Sequence, residues 1–258
     1  MIRQPNLRHI PISKLVPSLI TLLALCLGIT SIRYAFDDKW SIAAALIIIA
    51  TILDAIDGRV ARLLEASSKF GAELDSLCDL ISFGVAPAIV MYLWSLHQIP
   101  HKGVGWSIVL FFIACSAIRL ARFNSNITDT DLIKVPIVDK TQLTKKIHYS
   151  NFTGIPMPAG GVMAMLPMLS TFELIDNFYS YWFISIHIIV TGLLMVSKIP
   201  TFSLKALSIP KEYVSITLVF AAVLMAGMIL EPWLVIPFLT LIYICSIPVS
   251  YVYYRKKL

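Results

Sequence analysis

The chain has 258 residues, of which 58% are hydrophobic and 14% are charged, and its mean hydropathy is +0.81. This composition leaves too little polar surface to cover a water-soluble globule, so it excludes a soluble enzyme or binding protein. The net charge of +6 fits a basic rim that faces anionic lipid headgroups. No feature of the sequence requires a nucleic-acid partner.

Eight apolar runs follow one another along the chain. Each has the length, roughly 16–25 residues, that a helix needs to cross a hydrocarbon core of about 30 Å. The runs cover residues 15–32, 40–62, 70–94, 106–122, 155–172, 178–196, 214–230 and 233–253. They predict an all-α fold, a polytopic transmembrane helical bundle of about eight spans that forms one membrane-embedded domain over residues 1–258.

Lysine and arginine positions predict how the bundle is oriented. Eight spans place both termini on the same side of the membrane. Arg33, Lys39 and Lys102 then lie on the opposite side, and the other 18 of the 21 basic residues lie on the side of the termini. Because cytoplasmic loops carry the excess of positive charge, we expect both termini in the cytoplasm, in a bacterial-type inner membrane.

The longest polar connection covers residues 125–151 and contains Pro136. It also carries four lysines, Lys134, Lys140, Lys145 and Lys146. We interpret it as a solvated loop that its lysines draw to the membrane surface, although a headgroup-binding lid is the alternative.

Acidic residues cluster at one membrane level. Asp54 and Asp57 lie at the predicted cytoplasmic end of the second span, and Asp75 and Asp79 lie near the start of the third. Spacings of three and four residues place each pair on one helix face. Buried charges cost about 2.5–3.5 kcal/mol each at the centre of a membrane helix, so four together indicate a function.

Four facing carboxylates repel one another unless divalent cations neutralise them. Oxygen ligands suit Mg²⁺, Mn²⁺ or Ca²⁺ and argue against zinc or copper, so we predict a metal site. The alternative is that the acids only form ion pairs with Arg59, Arg62, Arg119 and Arg122. Small residues beside the acids, Gly58, Ala61 and Gly71, favour the metal site because they leave room for a flat ligand between the helices.

These residues spell D-x-x-D-G-x-x-A-R-x(8)-G-x-x-x-D-x-x-x-D, from Asp54 to Asp79. The pattern resembles the signature of the CDP-alcohol phosphatidyltransferase family at every fixed position. The resemblance implies a core of six transmembrane helices, here about residues 15–200, followed by two further spans at about 213–254. It also implies a nucleotide and metal cavity that opens to the cytoplasm.

The resemblance implies a role for each signature residue. Asp54, Asp57 and Asp75 would hold metal ions, two Mg²⁺ or Mn²⁺, against the diphosphate of a CDP-lipid. Asp79, the remaining member of the acidic cluster, would be the general base. The CDP-lipid pocket would be lined by Gly58, Ala61, Arg62 and Gly71 together with Asp54 and Asp75.

Other segments resemble membrane-integral phosphatidylserine synthases. They are residues 70–77, 82–87, 119–124, 153–160 and 194–200. This resemblance covers residue 17 to about residue 205, and the last two spans match only in hydropathy. It implies CDP-diacylglycerol and L-serine as substrates, phosphatidylserine and CMP as products, and a homodimer. Pro17-Ser18 stands where many relatives have Pro-Asn, so we assign no ligand role there.

Polar residues outside the signature have two interpretations. Arg119, Arg122 and Asn124 end the fourth span, level with the aspartates. We predict that they bind the acceptor carboxylate or the lipid phosphate, although the arginines also fit an ordinary positive-inside anchor. The same two interpretations apply to Lys198. We interpret His187, inside the sixth span, as a packed, hydrogen-bonded side chain.

Two alternatives to a serine transferase stay open. The same chemistry could use glycerol 3-phosphate, inositol, inositol phosphate or choline as the acceptor. A phosphorylated acceptor would need further basic residues, and choline would need an aromatic cage. A cation transporter would place acids near the bilayer midplane on several helices, whereas these acids occupy one cytoplasmic level on two helices.

Overall fold

A computed structural model describes residues 15–66, 68–132, 154–173, 179–197 and 214–255. This part of the chain is helical and confirms the predicted all-α class. The α-helices are α1 Val16–Phe36, α2 Trp40–Leu63, α3 Lys69–Asp79, α4 Ala86–Trp94, α5 Lys102–Leu132, α6 Met157–Ala164, α7 Leu166–Ser170, α8 Tyr181–Val196, α9 Val214–Leu230 and α10 Pro232–Arg255. A π-helical segment, Leu80–Val85, joins α3 to α4, and a 3₁₀ turn, Leu96–Gln98, follows α4.

Each of the eight apolar runs contains helix. Within the described residues, four helical segments are long and apolar enough to cross a membrane: Val16–Phe36, Trp40–Leu63, Lys69–Trp94 and Gly103–Ser125. Shorter apolar helices follow at Tyr181–Val196, Ser215–Leu230 and Pro232–Pro248. Large apolar side chains are exposed around α9, including Ile216, Leu218 and Phe220. Such surfaces are stable against lipid, so the chain is an integral membrane protein.

Two predicted segments differ from the structure. The fifth run is not one helix, because α6 ends at Ala164 and α7 begins at Leu166. Pro167 lies in the first turn of α7. Because proline has no backbone N–H, helical hydrogen bonding is interrupted there and the two helices are separate. The predicted loop begins as helix, since α5 continues to Leu132 and no proline or glycine lies in residues 125–132. Residues 133–153, including the four lysines, lie outside the described residues.

A short turn brings the two acidic helices together. α2 ends at Leu63, and Glu65 adopts a positive φ of 49° that reverses the chain. Ser68 then caps α3, because its Oγ accepts a hydrogen bond from the Gly71 N–H at 3.0 Å. The acidic segments of α2 and α3 are therefore brought next to each other by this turn.

The third membrane segment widens into a π-helix directly after Asp79. The Ala86 N–H bonds to the Ile81 carbonyl, five residues earlier. Pro87 follows and has no N–H with which to continue α-helical bonding to Phe83. Such wide turns occur often at functional sites, where they change the direction of neighbouring side chains.

Glycines let other helices pack closely against this π-helical segment. A methyl group added at Gly28 of α1 would lie 2.8 Å from the Ser82 Cα. One added at Gly161 of α6 would lie 2.9 Å from the Phe83 carbonyl oxygen. Phe83 itself is 1% exposed. The segment beyond Asp79 is thus enclosed by α1 and α6, which restricts how α3 can move.

Candidate functional site

Three of the four signature aspartates meet at the ends of α2 and α3. One carboxylate oxygen each from Asp54, Asp57 and Asp75 lies within 4.8 Å of the other two. Asp57 is the most enclosed, with 4% of its surface exposed. Helical spacing predicted four facing carboxylates, and the structure brings three of them together.

The cluster has the properties of a cation site. Asp75 Oδ1 is buried and has no hydrogen-bond partner among the described residues. Within that same part of the chain the one ion pair is Arg33–Asp37, so the aspartates do not pair with arginines there. A bound cation would compensate the charge of a buried, unpaired carboxylate oxygen that lies beside two further carboxylates. The donors are all oxygen, which fits Mg²⁺ or Mn²⁺.

Asp79 adjoins this group from the last position of α3. Its carboxylate is within hydrogen-bond reach of Asp54 and near enough to Arg119 for an electrostatic interaction. Arg119 lies on α5, and its Nε is buried without a hydrogen-bond partner in the described structure. Asp79 thus interacts with both the Asp54 carboxyl group and the Arg119 guanidinium.

A further side chain, not predicted from the sequence, contacts the cluster. The Thr21 hydroxyl on α1 donates to Asp57 Oδ2 at 2.6 Å, and both residues are buried. The available signal was a hydroxyl inside the first apolar run, near the same end of the bundle as the acids. Threonine is common in membrane helices, so this signal alone did not indicate the contact.

The residues predicted to line the CDP-lipid pocket have different surroundings. A methyl group added at Gly58 would meet no described atom within 4 Å. Ala61 is partly exposed one turn further along α2. Arg62 is exposed and its Nε donates to the Gly58 carbonyl at 3.0 Å, so the side chain lies along its own helix. Gly71 packs against Ser68, whose Oγ would lie 3.1 Å from an added methyl group.

The three polar residues of α5 have different environments. Arg122 Nη1 donates to the Val196 carbonyl at 2.6 Å and thereby caps the end of α8. Asn124 Nδ2 donates to the Ser76 hydroxyl at 3.1 Å, next to Asp75. Of the two predicted arginines, only Arg119 approaches the aspartates. No described contact tests the acceptor-binding role predicted for Arg122 and Asn124, and the contact of Arg122 favours a structural role.

Two further predictions concern α8 and the residues after it. His187 Nε2 is 2.8 Å from the Met163 carbonyl, so this imidazole connects α8 to α6 as a hydrogen-bonded packing residue. Lys198 lies outside the described residues.

A bundle of apolar helices with an aspartate cluster near one end defines an integral membrane protein that could hold a metal ion. A family model of CDP-alcohol phosphatidyltransferases matches residues 14–193. A second model, CDP-alcohol phosphatidyltransferase 2, matches residues 212–248 and extends the likeness to α9 and most of α10, beyond the predicted limit near residue 205. The chain belongs to the CDP-alcohol phosphatidyltransferase family.

Curated relatives share most of this chain. A protein of Mycobacterium tuberculosis is 37% identical over 249 residues, which is 96% of this chain and 82% of the relative. One of Helicobacter pylori is 38% identical over 192 residues, 72% of this chain and 70% of the relative. One of Methanocaldococcus jannaschii is 34% identical over 155 residues, 60% and 61% of the two chains. Each relative is named CDP-diacylglycerol–serine O-phosphatidyltransferase.

Proposed function

We propose that this protein transfers the phosphatidyl group of CDP-diacylglycerol to the hydroxyl of L-serine, giving phosphatidylserine and CMP. The observation that carries the proposal is the convergence of Asp54, Asp57 and Asp75, within 4.8 Å, at the family signature. Support for serine as the acceptor comes from the names of the relatives.

Three aspartates would hold the divalent cations in this proposal. Asp54 and Asp57 reach the site from α2, and Asp75 reaches it from α3. Cations held there would supply positive charge to neutralise the diphosphate. Gly58 leaves the space beside Asp57 open for the nucleotide. Which ion is preferred, and whether two bind, belongs to the proposal.

Asp79 would accept the proton of the attacking alcohol. The serine oxygen forms a bond to the phosphorus of the phosphatidyl group, and the bond from that phosphorus to the CMP oxygen breaks. The hydroxyl proton passes to the Asp79 carboxylate, so charge and atoms balance. Arg119 would bind the carboxylate of serine beside Asp79, because its planar guanidinium matches a carboxylate.

The membrane orientation and domain organisation of the protein are also part of the proposal. We place the termini and the aspartates on the cytoplasmic side, since 18 of the 21 basic residues lie there when the eight runs are threaded through a membrane. We treat the chain as one catalytic domain. A homodimer stays a prediction of the family resemblance.

The direct test supplies purified protein with CDP-diacylglycerol, Mn²⁺ and one alcohol at a time. We expect phosphatidylserine and an equal amount of CMP with L-serine, and no lipid product with glycerol 3-phosphate, inositol, inositol phosphate or choline. Both products are quantified by mass spectrometry. Lipid formed from another alcohol, with none formed from serine, would refute the proposed acceptor.

Removal of divalent cations should stop the reaction. Because no ion pair neutralises the three aspartates among the described residues, we expect EDTA to lower turnover by more than ~100-fold and added Mg²⁺ or Mn²⁺ to restore it. Turnover is measured as CMP release, and protein kept in buffer without EDTA is the control. Full activity in EDTA-treated, metal-free protein would exclude the proposed metal role.

Two arginines of α5 provide a matched pair of variants. We expect Arg119→Gln to raise the KM for serine by roughly tenfold, because it removes a charged hydrogen-bond donor beside Asp79. Arg122→Gln should leave that KM nearly unchanged and lower the Tm, because it removes the cap of α8. KM values and thermal unfolding of the two variants are compared. The opposite pattern would assign acceptor binding to Arg122.

A further inference from the structure

Thr21 is the described side chain of α1 that hydrogen-bonds to the aspartate cluster. Its Oγ is 2.6 Å from Asp57 Oδ2 and 3.0 Å from the Pro17 carbonyl oxygen. Thr21 is 6% exposed and Asp57 is 4% exposed, so both side chains are protected from solvent. The proposed reaction assigns no part to Thr21.

The hydroxyl of Thr21 has one proton for two acceptors. A carboxylate attracts this proton more strongly than a neutral carbonyl does. The distance of 2.6 Å to Asp57 Oδ2 is within the usual range for an O–H···O⁻ bond. The longer contact, to Pro17, is the weaker of the two. The proton is therefore shared with Asp57 whenever that carboxylate is ionised.

The Thr21 side chain is also held rigidly. Threonine in a helix has few allowed rotamers, and one of them turns Oγ back toward the carbonyl four residues earlier. Thr21 adopts this orientation, as its contact with Pro17 shows. The same orientation points Oγ at Asp57, so little conformational entropy is lost in forming the bond.

α1 is itself fixed against both acidic helices. Ser18, one turn before Thr21, has its Oγ 3.9 Å from the position that a Cβ would occupy at Gly71 of α3. Further along α1, Gly28 packs against Ser82 of the π-helical segment. A hydroxyl attached to this helix therefore has a defined position relative to the cluster.

We propose that Thr21 is a positioning residue that holds Asp57 in the orientation in which it binds a divalent cation. The inference rests on the proposed function, because it takes Asp57 as a metal ligand. Hydrogen bonds that orient metal ligands are worth ~10–100-fold in metal affinity. Loss of the Thr21 hydroxyl should therefore weaken cation binding without displacing any ligand.

The test measures Mn²⁺ binding to the purified full-length protein without substrate, from the electron paramagnetic resonance signal of free Mn²⁺. Thr21→Val keeps the side-chain shape and removes the hydroxyl, whereas Thr21→Ser keeps the hydroxyl. Thr30→Val is the matched control, because Thr30 Oγ bonds only to the Cys26 carbonyl of its own helix in the described structure. We expect a roughly tenfold higher Kd in Thr21→Val, with values near wild type in Thr21→Ser and Thr30→Val.

Each result bears on a different claim. An unchanged Mn²⁺ affinity in Thr21→Val, or equal losses in Thr21→Val and Thr21→Ser, would overturn the positioning role and leave the proposed function intact. Absence of Mn²⁺ binding in the wild type would overturn the proposed metal chemistry together with this inference. Thr21→Ala is the second variant if Thr21→Val does not fold; we expect the same weakening, and wild-type affinity there would also overturn the inference.

Discussion

Asp79→Asn is expected to lower turnover by about 10²–10⁴-fold, the usual contribution of a general base, while the affinity for CDP-diacylglycerol changes only a few-fold. An interaction used in the transition state affects turnover rather than ground-state binding. Asp79 suits this role because it adjoins the cluster of three aspartates, at the last position of α3, and is close to Arg119.

Asp54→Asn is the matched comparison for Asp79→Asn. It removes one of the three clustered carboxylates, so we expect both turnover and metal-dependent CDP-diacylglycerol binding to fall. The two measurements are turnover by CMP release and lipid affinity by titration. Near-normal turnover in Asp79→Asn would eliminate the base assignment, and a parallel loss of lipid binding would make Asp79 a metal ligand instead.

Asp75→Asn is expected to have opposite effects on stability and activity. In the absence of metal the clustered carboxylates repel one another, and Asp75 Oδ1 is buried without a partner in the described structure. Removing this charge should raise the Tm of metal-free protein by a few degrees. It removes both the repulsion between the carboxylates and the cost of burying the Asp75 charge. Turnover should fall by more than ~100-fold, because a cation ligand is lost.

The measurement is thermal unfolding in EDTA and in Mn²⁺, together with turnover. Wild-type protein should gain stability from Mn²⁺ by linkage, and Asp75→Asn should gain much less. Asp37→Asn is the control, since Asp37 lies outside the cluster in a solvent-exposed pair with Arg33 and such pairs contribute little. A metal-free Asp75→Asn protein less stable than wild type would show that the cluster is not under electrostatic strain.

Hydropathy was sufficient to predict the helices, but not their irregularities. Run length and composition determine whether a segment crosses a membrane, so the eight apolar runs were found from the sequence. The π-helical segment was not predicted, although Pro87 is visible, because proline alone does not distinguish a kink from a wide turn. That choice depends on packing against α1 and α6, which involves residues far apart in the sequence.

The carboxylate cluster followed from helical spacing, because residues three or four apart share a helix face and the α2–α3 turn is short. The contacts made by α1, α5 and α8 could not be predicted in this way. Thr21 reaches Asp57 across helices, and Arg122 reaches Val196 across 74 positions of sequence. Only the packed structure shows that Arg119 and Arg122, one turn apart, have different partners.

The short connection between α2 and α3 has a consequence for biosynthesis. Asp54, Asp57 and Asp75 meet within a stretch that the ribosome completes before α5 is made, and the Thr21 that contacts Asp57 precedes them. The aspartate cluster can therefore assemble from the first three membrane segments. Arg119 of α5 can join this cluster only after these segments have been synthesised.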